Sequence, residues 1–424
     1  MGTKKAVIKY ENLDILRWIA ATTVLLYHLR ISIEYNSSPG FSFSSITNYP
    51  FPGTMCVFIF FILSGYVISL NHPTLKGKGE VVAYIKKRLV RIVPIYTVSI
   101  LLVLLALPGS YSAGTILSNL FYMSVPLKNV LFANSPLWSL HFEMLYYLLY
   151  IPIARLGINL RYLLLCNGIA IAALFLFFHN APFPPLLISY INGFFFWIVG
   201  AYIARYSAHV QRRLVSSRFI AIFLLTFSVA IVNPYADILS LLHLKMYDHS
   251  PAYIFHTAIP YDELCLFPQL VLLILAAVHA YKPVYNFIVY GVYLVGLAKF
   301  AHVVRYYWQL HQLAVSNVYF IPLLLFVASI CCWLYNGEIN TVARHWIKST
   351  IPLADISYGI YIIHMPFIFL FAEIPVFSFP AFVLRTLGCI AAIIAAAYIL
   401  ERRFQPWVRR LLGMGGKRTI QKAA

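Results

Sequence analysis

The sequence predicts an all-α integral membrane protein, a polytopic bundle of about 10–12 transmembrane helices, on three observations. Of 424 residues, 61% are hydrophobic and only 11% are charged, with a mean hydropathy of +0.80. That leaves too few polar groups to cover the surface of a soluble domain. The apolar residues come in runs of about 20, the length that crosses a hydrocarbon core. The Lys and Arg residues behind the net charge of +19 gather in particular loops. They therefore read as membrane orientation, and no nucleic-acid partner is expected.

The first apolar run, residues 12–31, is long enough to cross a bilayer, yet it carries Asp14, Arg17 and His28. A charge near the bilayer centre costs roughly 2.5–3.5 kcal/mol even on insertion scales, so such residues point to function. Arg17 and His28 stand eleven positions apart. That is close to three turns, so both project from one face about 16 Å apart. One helix then holds a guanidinium near one membrane surface and an imidazole near the other, a geometry that suits a site reached from both sides. Asp14 and Arg17 also stand at i,i+3, as in an ion pair at the membrane entry with Arg17 snorkelling to headgroups. His28 alone also suits an interfacial anchor.

Residues 32–52 contain no Lys or Arg, and the second run, 54–70, contains FFILSGYVI. The segment after it is strongly basic, with Lys76, Lys78, Lys86, Lys87, Arg88 and Arg91. Lys4, Lys5 and Lys9 precede the first run. By the positive-inside rule the N-terminus and the basic segment are cytoplasmic and the first loop is outside. A third run covers 89–107; the semi-polar stretch 108–135 holds a short apolar piece that suits a re-entrant segment. The next span starts at Pro136 and ends at Arg155 and Arg161. Further runs fall at 162–178, 186–204, 219–232, 264–280 and 320–334, with Arg205, Arg212, Arg213 and Arg218 marking a cytoplasmic loop.

The stretch 233–263 carries Asp237, Asp248, Asp262 and Glu263 against Lys245 and reads as external. Residues 285–308 are apolar but interrupted by Lys299, His302 and Arg305, which leaves their crossing open. The last runs are 352–371 and 381–400, followed from about 401 by a basic cytoplasmic tail that includes Arg409, Arg410, Lys417, Arg418 and Lys422. One multi-pass domain over 1–424 is expected, in a cell (inner) membrane with both termini cytoplasmic. No cleavable signal is visible. The six cysteines sit in or beside apolar runs without metal-site spacing, so packing thiols and no metal are expected.

Three further constellations carry chemistry. Arg88 and Arg91 stack two guanidiniums on one helix face, a clamp suited to phosphates or a plain lipid anchor. Pro94 follows at what reads as the first turn of the third span. In WSLHFEMLYY (Trp138 to Tyr147), Glu143 lies about two turns inside its span and needs a proton or a partner, and Tyr147 at i+4 can supply one. In DISYGIYIIHMP (Asp355 to Pro366), Tyr361 and His364 are i,i+3 neighbours in mid-membrane, as in a helix-packing hydrogen-bond network.

Taken together, the chain resembles the acyltransferase-3 family, membrane-bound O-acyltransferases of cell-surface glycans and lipids. The motifs run in family order. They are Arg-x10-His (Arg17, His28), FFxLSG (Phe60, Phe61, Ser64, Gly65) and RxxRIxPxY (Arg88, Arg91, Pro94, Tyr96). WSLxxE with its Tyr (Trp138, Ser139, Leu140, Glu143, Tyr147) comes next. ISYxxYxxH and a terminal acidic residue with basic neighbours (Glu401, Arg402, Arg403) complete the set.

The resemblance implies transfer of an acyl group, usually acetyl, from cytoplasmic acyl-coenzyme A to a hydroxyl of an extracytoplasmic carbohydrate or glycolipid. Lipopolysaccharide O-antigen and exopolysaccharide are the acceptors in view, with membrane lipid around the protein. No permanently bound cofactor is implied, and acyl-CoA (acetyl-CoA) enters as a substrate. His28 is then the expected catalytic base and Glu143 its support in one shared site, since both lie in the outer half of the bundle. Arg17, Arg88 and Arg91 are the expected donor-binding residues, with Asp14, Ser64, Trp138, Tyr147, Tyr361 and His364 supporting. A secondary transporter or flippase for a glycan precursor would use the same intramembrane Arg, Glu and His. The lack of an evident 20–50-residue repeat weighs against it.

Overall fold

A computed structural model describes residues 11–32, 37–38, 41–42, 51–178, 185–207, 216–241, 264–309, 317–335 and 337–414. The basic and acidic residues at 4, 5, 9, 212, 213, 245, 248, 262, 263, 417, 418 and 422 lie outside these. The described residues form helices α1 (Glu11–Ile31), α2 (Gly53–Asn71), α3 (Lys78–Ala106), α4 (Ala113–Leu120), α5 (Trp138–Leu156), α6 (Leu160–Phe178), α7 (Pro185–Ser207) and α8 (Ser216–Val232). They continue with α9 (Pro234–Leu241), α10 (Phe267–Ala277), α11 (Asn286–Gln309), α12 (Asn317–Leu334), α13 (Glu338–Ala354), α14 (Ser357–Ala372), α15 (Phe379–Ile399) and α16 (Gln405–Leu411). The only pairing between extended segments among them is a two-residue ribbon, Ser37–Ser38 with Phe41–Ser42.

This is the expected all-α polytopic bundle. Among the described residues, five helices are long and apolar enough to cross a membrane, within α2, α3, α7, α11 and the run from α15 to α16. Others are shorter or, like α1, interrupted by charge. The continuous α11 resolves the interrupted region 285–308. Its Lys299 pairs with Asp237 of α9 and is mostly shielded, which offsets the cost of burying an ammonium.

Two expected boundaries move. Helix α3 begins at Lys78, not near 89, because its basic first half continues the same hydrogen-bond ladder before the apolar stretch begins. Pro94 is therefore well inside the helix, where it cannot donate to the carbonyl of Val90. Gln405 replaces the missing donor: its Nε2 donates to Val90 O at 2.6 Å and to Arg91 O at 3.1 Å. The same device recurs at Pro366, whose i−4 carbonyl, Ile362 O, receives Asn134 Nδ2 at 3.0 Å. A freed carbonyl in an apolar bundle otherwise loses its hydrogen bond altogether.

The expected span 352–371 is two helices, broken at Asp355 and Ile356 between α13 and α14. The break is held by the end of the chain. Gly359 N, in the first turn of α14, donates to Glu401 Oε1 at 3.2 Å, and Arg402 bonds Asp355 Oδ2 at 2.6 Å. A carboxylate at a helix N-terminus satisfies orphan amides and meets the positive end of the dipole. The terminal acidic-basic motif thus acts as a remote helix cap.

Helices α2 and α7 approach each other closely. A Cβ on Gly65 would come within 1.9 Å of Trp197 O, and one on Gly200 within 1.9 Å of Ile62 O. These two glycines let the backbones touch, and the contact presents Ser64 and Trp197 to the interior. Gly65→Ala or Gly200→Ala should cost at least about 3 kcal/mol, the upper range for overpacking, because backbone must yield instead of a flexible side chain. Melting temperature and monodisperse yield in detergent will check this.

Candidate active site

Five helices converge on one cavity in which charged and hydroxyl groups meet an apolar wall. Helix α1 brings Arg17, α2 Ser64, α3 Arg88 and Arg91, α5 Ser139, Glu143 and Tyr147, and α14 Tyr358 and Tyr361. The cavity is about 90 Å³. A second one of about 200 Å³ shares Arg17, Arg91, Ser357 and Tyr358 with it and adds Asp14, Asp355, Glu401, Arg402 and Arg409.

Glu143, the only carboxylate among the described residues that line the first cavity, is held in place. Ser64 Oγ donates to Glu143 Oε1 at 2.8 Å, and the Tyr147 hydroxyl donates to the same oxygen. Trp197 Nε1 lies 3.4 Å from Ser64 Oγ, so the α2–α7 contact fixes the serine that orients Glu143. The Arg88 guanidinium lies over the Tyr147 ring, 5.9 Å from its centroid. Arg17 Nη1 stands 3.5 Å from Asp14 Oδ1, so the i,i+3 pair is present and Arg17 still lines both cavities. Three arginines against one carboxylate leave the first cavity with a positive balance suited to an anion. Arg88 Nε is buried and has no hydrogen-bond partner among the described residues.

Glu143 is not beside His28. The expected depth of Glu143 counted from Pro136 as if that residue lay at the membrane surface. Instead Asn134, Pro136 and Leu137 form a buried 3-10 turn against α14, so α5 starts inside the protein and carries Glu143 toward the arginines. The semi-polar segment before it thus enters the bundle through α4 and this turn.

His28 has a different partner. Its Nδ1 is 2.9 Å from Val24 O and 3.2 Å from His364 Nε2, with the two rings 5.0 Å apart between centroids. His364 is fully buried. Tyr361 links the two regions: it lines the arginine cavity and its ring centroid is 6.3 Å from that of His364. The Tyr361 hydroxyl is 2.6 Å from Ser139 Oγ, and both lie within reach of Pro136 O.

Of the residues singled out in the sequence, Arg17, Ser64, Arg88, Arg91, Glu143, Tyr147 and Tyr361 surround the first cavity. Asp14 lines the second. His28 and His364 pair beyond Tyr361. Trp138 lines neither; it packs edge-on against Phe142 and Phe61. Ser139 and Tyr358 were missed as site residues, although both stand inside motifs already singled out. The Tyr358 hydroxyl donates to Ile92 O at 3.0 Å, tying α14 to the arginine-bearing helix.

Residues 10–336 match the family described as Acyltransferase domain. The chain belongs to the acyltransferase-3 family. It is a multi-pass membrane acyltransferase. The match includes Arg17, His28, Ser64, Arg88, Arg91 and Glu143 and ends before α13, so Tyr361 and His364 join the site by geometry. No curated protein and no solved structure matches the chain.

Proposed function

We propose that this acyltransferase takes an acyl group, acetyl in the first instance, from acyl-coenzyme A and places it on a hydroxyl of a glycan across the membrane. The glycan would be a surface carbohydrate or glycolipid such as lipopolysaccharide O-antigen or exopolysaccharide. The observation that carries this reading is the arginine cavity, in which the buried Arg88 Nε has no hydrogen-bond partner among the described residues, joined through Tyr361 to the His28–His364 pair. Planar guanidiniums hold phosphates through bidentate, charge-assisted hydrogen bonds. The acyl thioester would reach past the arginines toward Tyr361 on the flexible arm of coenzyme A.

In the transfer, His28 takes the proton of the acceptor hydroxyl as its oxygen attacks the thioester carbonyl. The tetrahedral intermediate then expels the coenzyme A thiolate, which receives that proton, leaving the acyl ester and free coenzyme A. The Ser139 and Tyr361 hydroxyls supply candidate donors for the developing oxyanion. Glu143, Ser64 and Tyr147 belong to the donor side and hold the arginine cavity in shape.

The donor side is cytoplasmic in this reading, the membrane is the inner one, and both termini are cytoplasmic. A cysteine at position 37 in Ser37→Cys should react with an impermeant maleimide in intact inner-membrane spheroplasts, and one at position 78 in Lys78→Cys only after permeabilisation. Reversed labelling would overturn the orientation. The function itself is tested by mass spectrometry of surface polysaccharide with and without this protein. Loss of ester-linked acyl groups on deletion is expected. Unchanged esters together with lost export of glycan precursor would replace this reading by a carrier.

A further inference from the structure

We propose that His364 is a positioning residue that fixes His28 with Nε2 as its basic nitrogen and steadies the imidazolium formed there. The inference rests on the reading of His28 as the base and specifies how that base is set.

The tautomers follow from which atoms can only accept. A carbonyl oxygen has no proton to give, so the 2.9 Å contact of His28 Nδ1 with Val24 O requires a proton on Nδ1. His364 Nδ1 lies 3.2 Å from Ile360 O and carries a proton by the same argument. Neutral His364 then has its lone pair on Nε2, the atom that stands 3.2 Å from His28 Nδ1. The His28 Nδ1–H is thus shared between Val24 O and His364 Nε2. Its own Nε2 is left with the lone pair and is bonded by no described residue.

This is the logic by which a second group orients a catalytic imidazole. When His28 accepts a hydroxyl proton at Nε2, positive charge spreads to Nδ1–H, which already points at a lone pair. The proton moves from the hydroxyl oxygen to Nε2 and later to the thiolate sulfur; His364 gains and loses none. Burial suits His364 to this role, because a fully buried ring with both nitrogens committed holds one orientation.

Substitutions separate this role from packing. Glutamine places its terminal amide where the histidine Nε2 stands, and asparagine places its amide where Nδ1 stands. His364→Gln keeps an acceptor for His28, whereas His364→Asn keeps only the bond to Ile360. The assay uses inside-out membrane vesicles, radiolabelled acetyl-coenzyme A and the endogenous glycan, with initial rates measured against donor concentration.

His364→Phe and His364→Asn should lower kcat by about 10²-fold with the donor KM unchanged, and His364→Gln should recover at least about tenfold of that loss. Equal activity in the Asn and Gln variants would overturn the inference, as would wild-type kcat in His364→Phe. If His364→Phe does not accumulate, the Asn–Gln contrast decides alone. Retained transfer in His28→Ala would overturn the base reading and this inference with it. An inactive His28→Ala beside a fully active His364→Asn would overturn this inference alone.

Discussion

His28→Ala should lower acyl transfer by about 10²–10⁴-fold, the range a positioned general base contributes. The protein should remain folded and able to bind coenzyme A. His28 is half-buried and lines neither arginine cavity, so its removal leaves the arginines in place and costs the fold mainly its contact with His364. The measurement pairs the vesicle transfer rate with a coenzyme A titration of purified protein. A variant that has lost both transfer and coenzyme A binding would show that His28 holds structure or donor, not the acceptor proton. Because Glu143 meets Ser64 and Tyr147 and His28 meets His364, the two no longer form one acid–base unit. Their separate effects on donor binding and on turnover should be distinguishable.

Arg91→Ala should weaken coenzyme A binding about tenfold or more, since a charge-assisted hydrogen bond contributes roughly 1.5–3 kcal/mol. Arg91 lines both cavities, so an anion entering either meets it. It is also exposed, so the substitution should cost little stability. Arg91→Lys should recover only part of the affinity, because an ammonium lacks the bidentate fork. The weakening should shrink as ionic strength rises. Isothermal titration of the purified variants with coenzyme A measures all three. Unchanged affinity in Arg88→Ala and Arg91→Ala would reduce both arginines to markers of membrane orientation.

Much of this arrangement could be read from sequence. The helices α1, α2, α5, α7, α8 and α15 start and stop close to their apolar runs, because hydropathy reports which residues can face hydrocarbon. It does not report where a backbone ladder begins, so the basic half of α3 was missed and Pro94 was misplaced. The arginine cavity was legible in part, because Arg17 and Glu143 are conspicuous inside apolar runs and expensive residues tend to gather, while Arg88 and Arg91 stand out by their i,i+3 spacing at the end of a basic segment. Their local partners were legible too, Tyr147 for Glu143 and Asp14 for Arg17; their distant ones were not. Ser64 meets Glu143 across 79 positions and His28 meets His364 across 336, and no local periodicity encodes such pairs. The depth of Glu143 failed for a related reason: a span that starts inside the protein looks, in sequence, like one that starts at its surface.

Pro94 and Pro366 are each answered by an amide far along the chain, Gln405 for Val90 across 315 positions and Asn134 for Ile362 across 228. In evolutionary terms each proline and its amide form an epistatic pair. A lineage that exchanges Gln405 for leucine while keeping Pro94 strands a carbonyl beside Arg91. A lineage that has already replaced Pro94 by alanine regains the helical bond and can then change Gln405 freely. The two positions should drift together, and the order of change is constrained: the proline goes first and the amide follows.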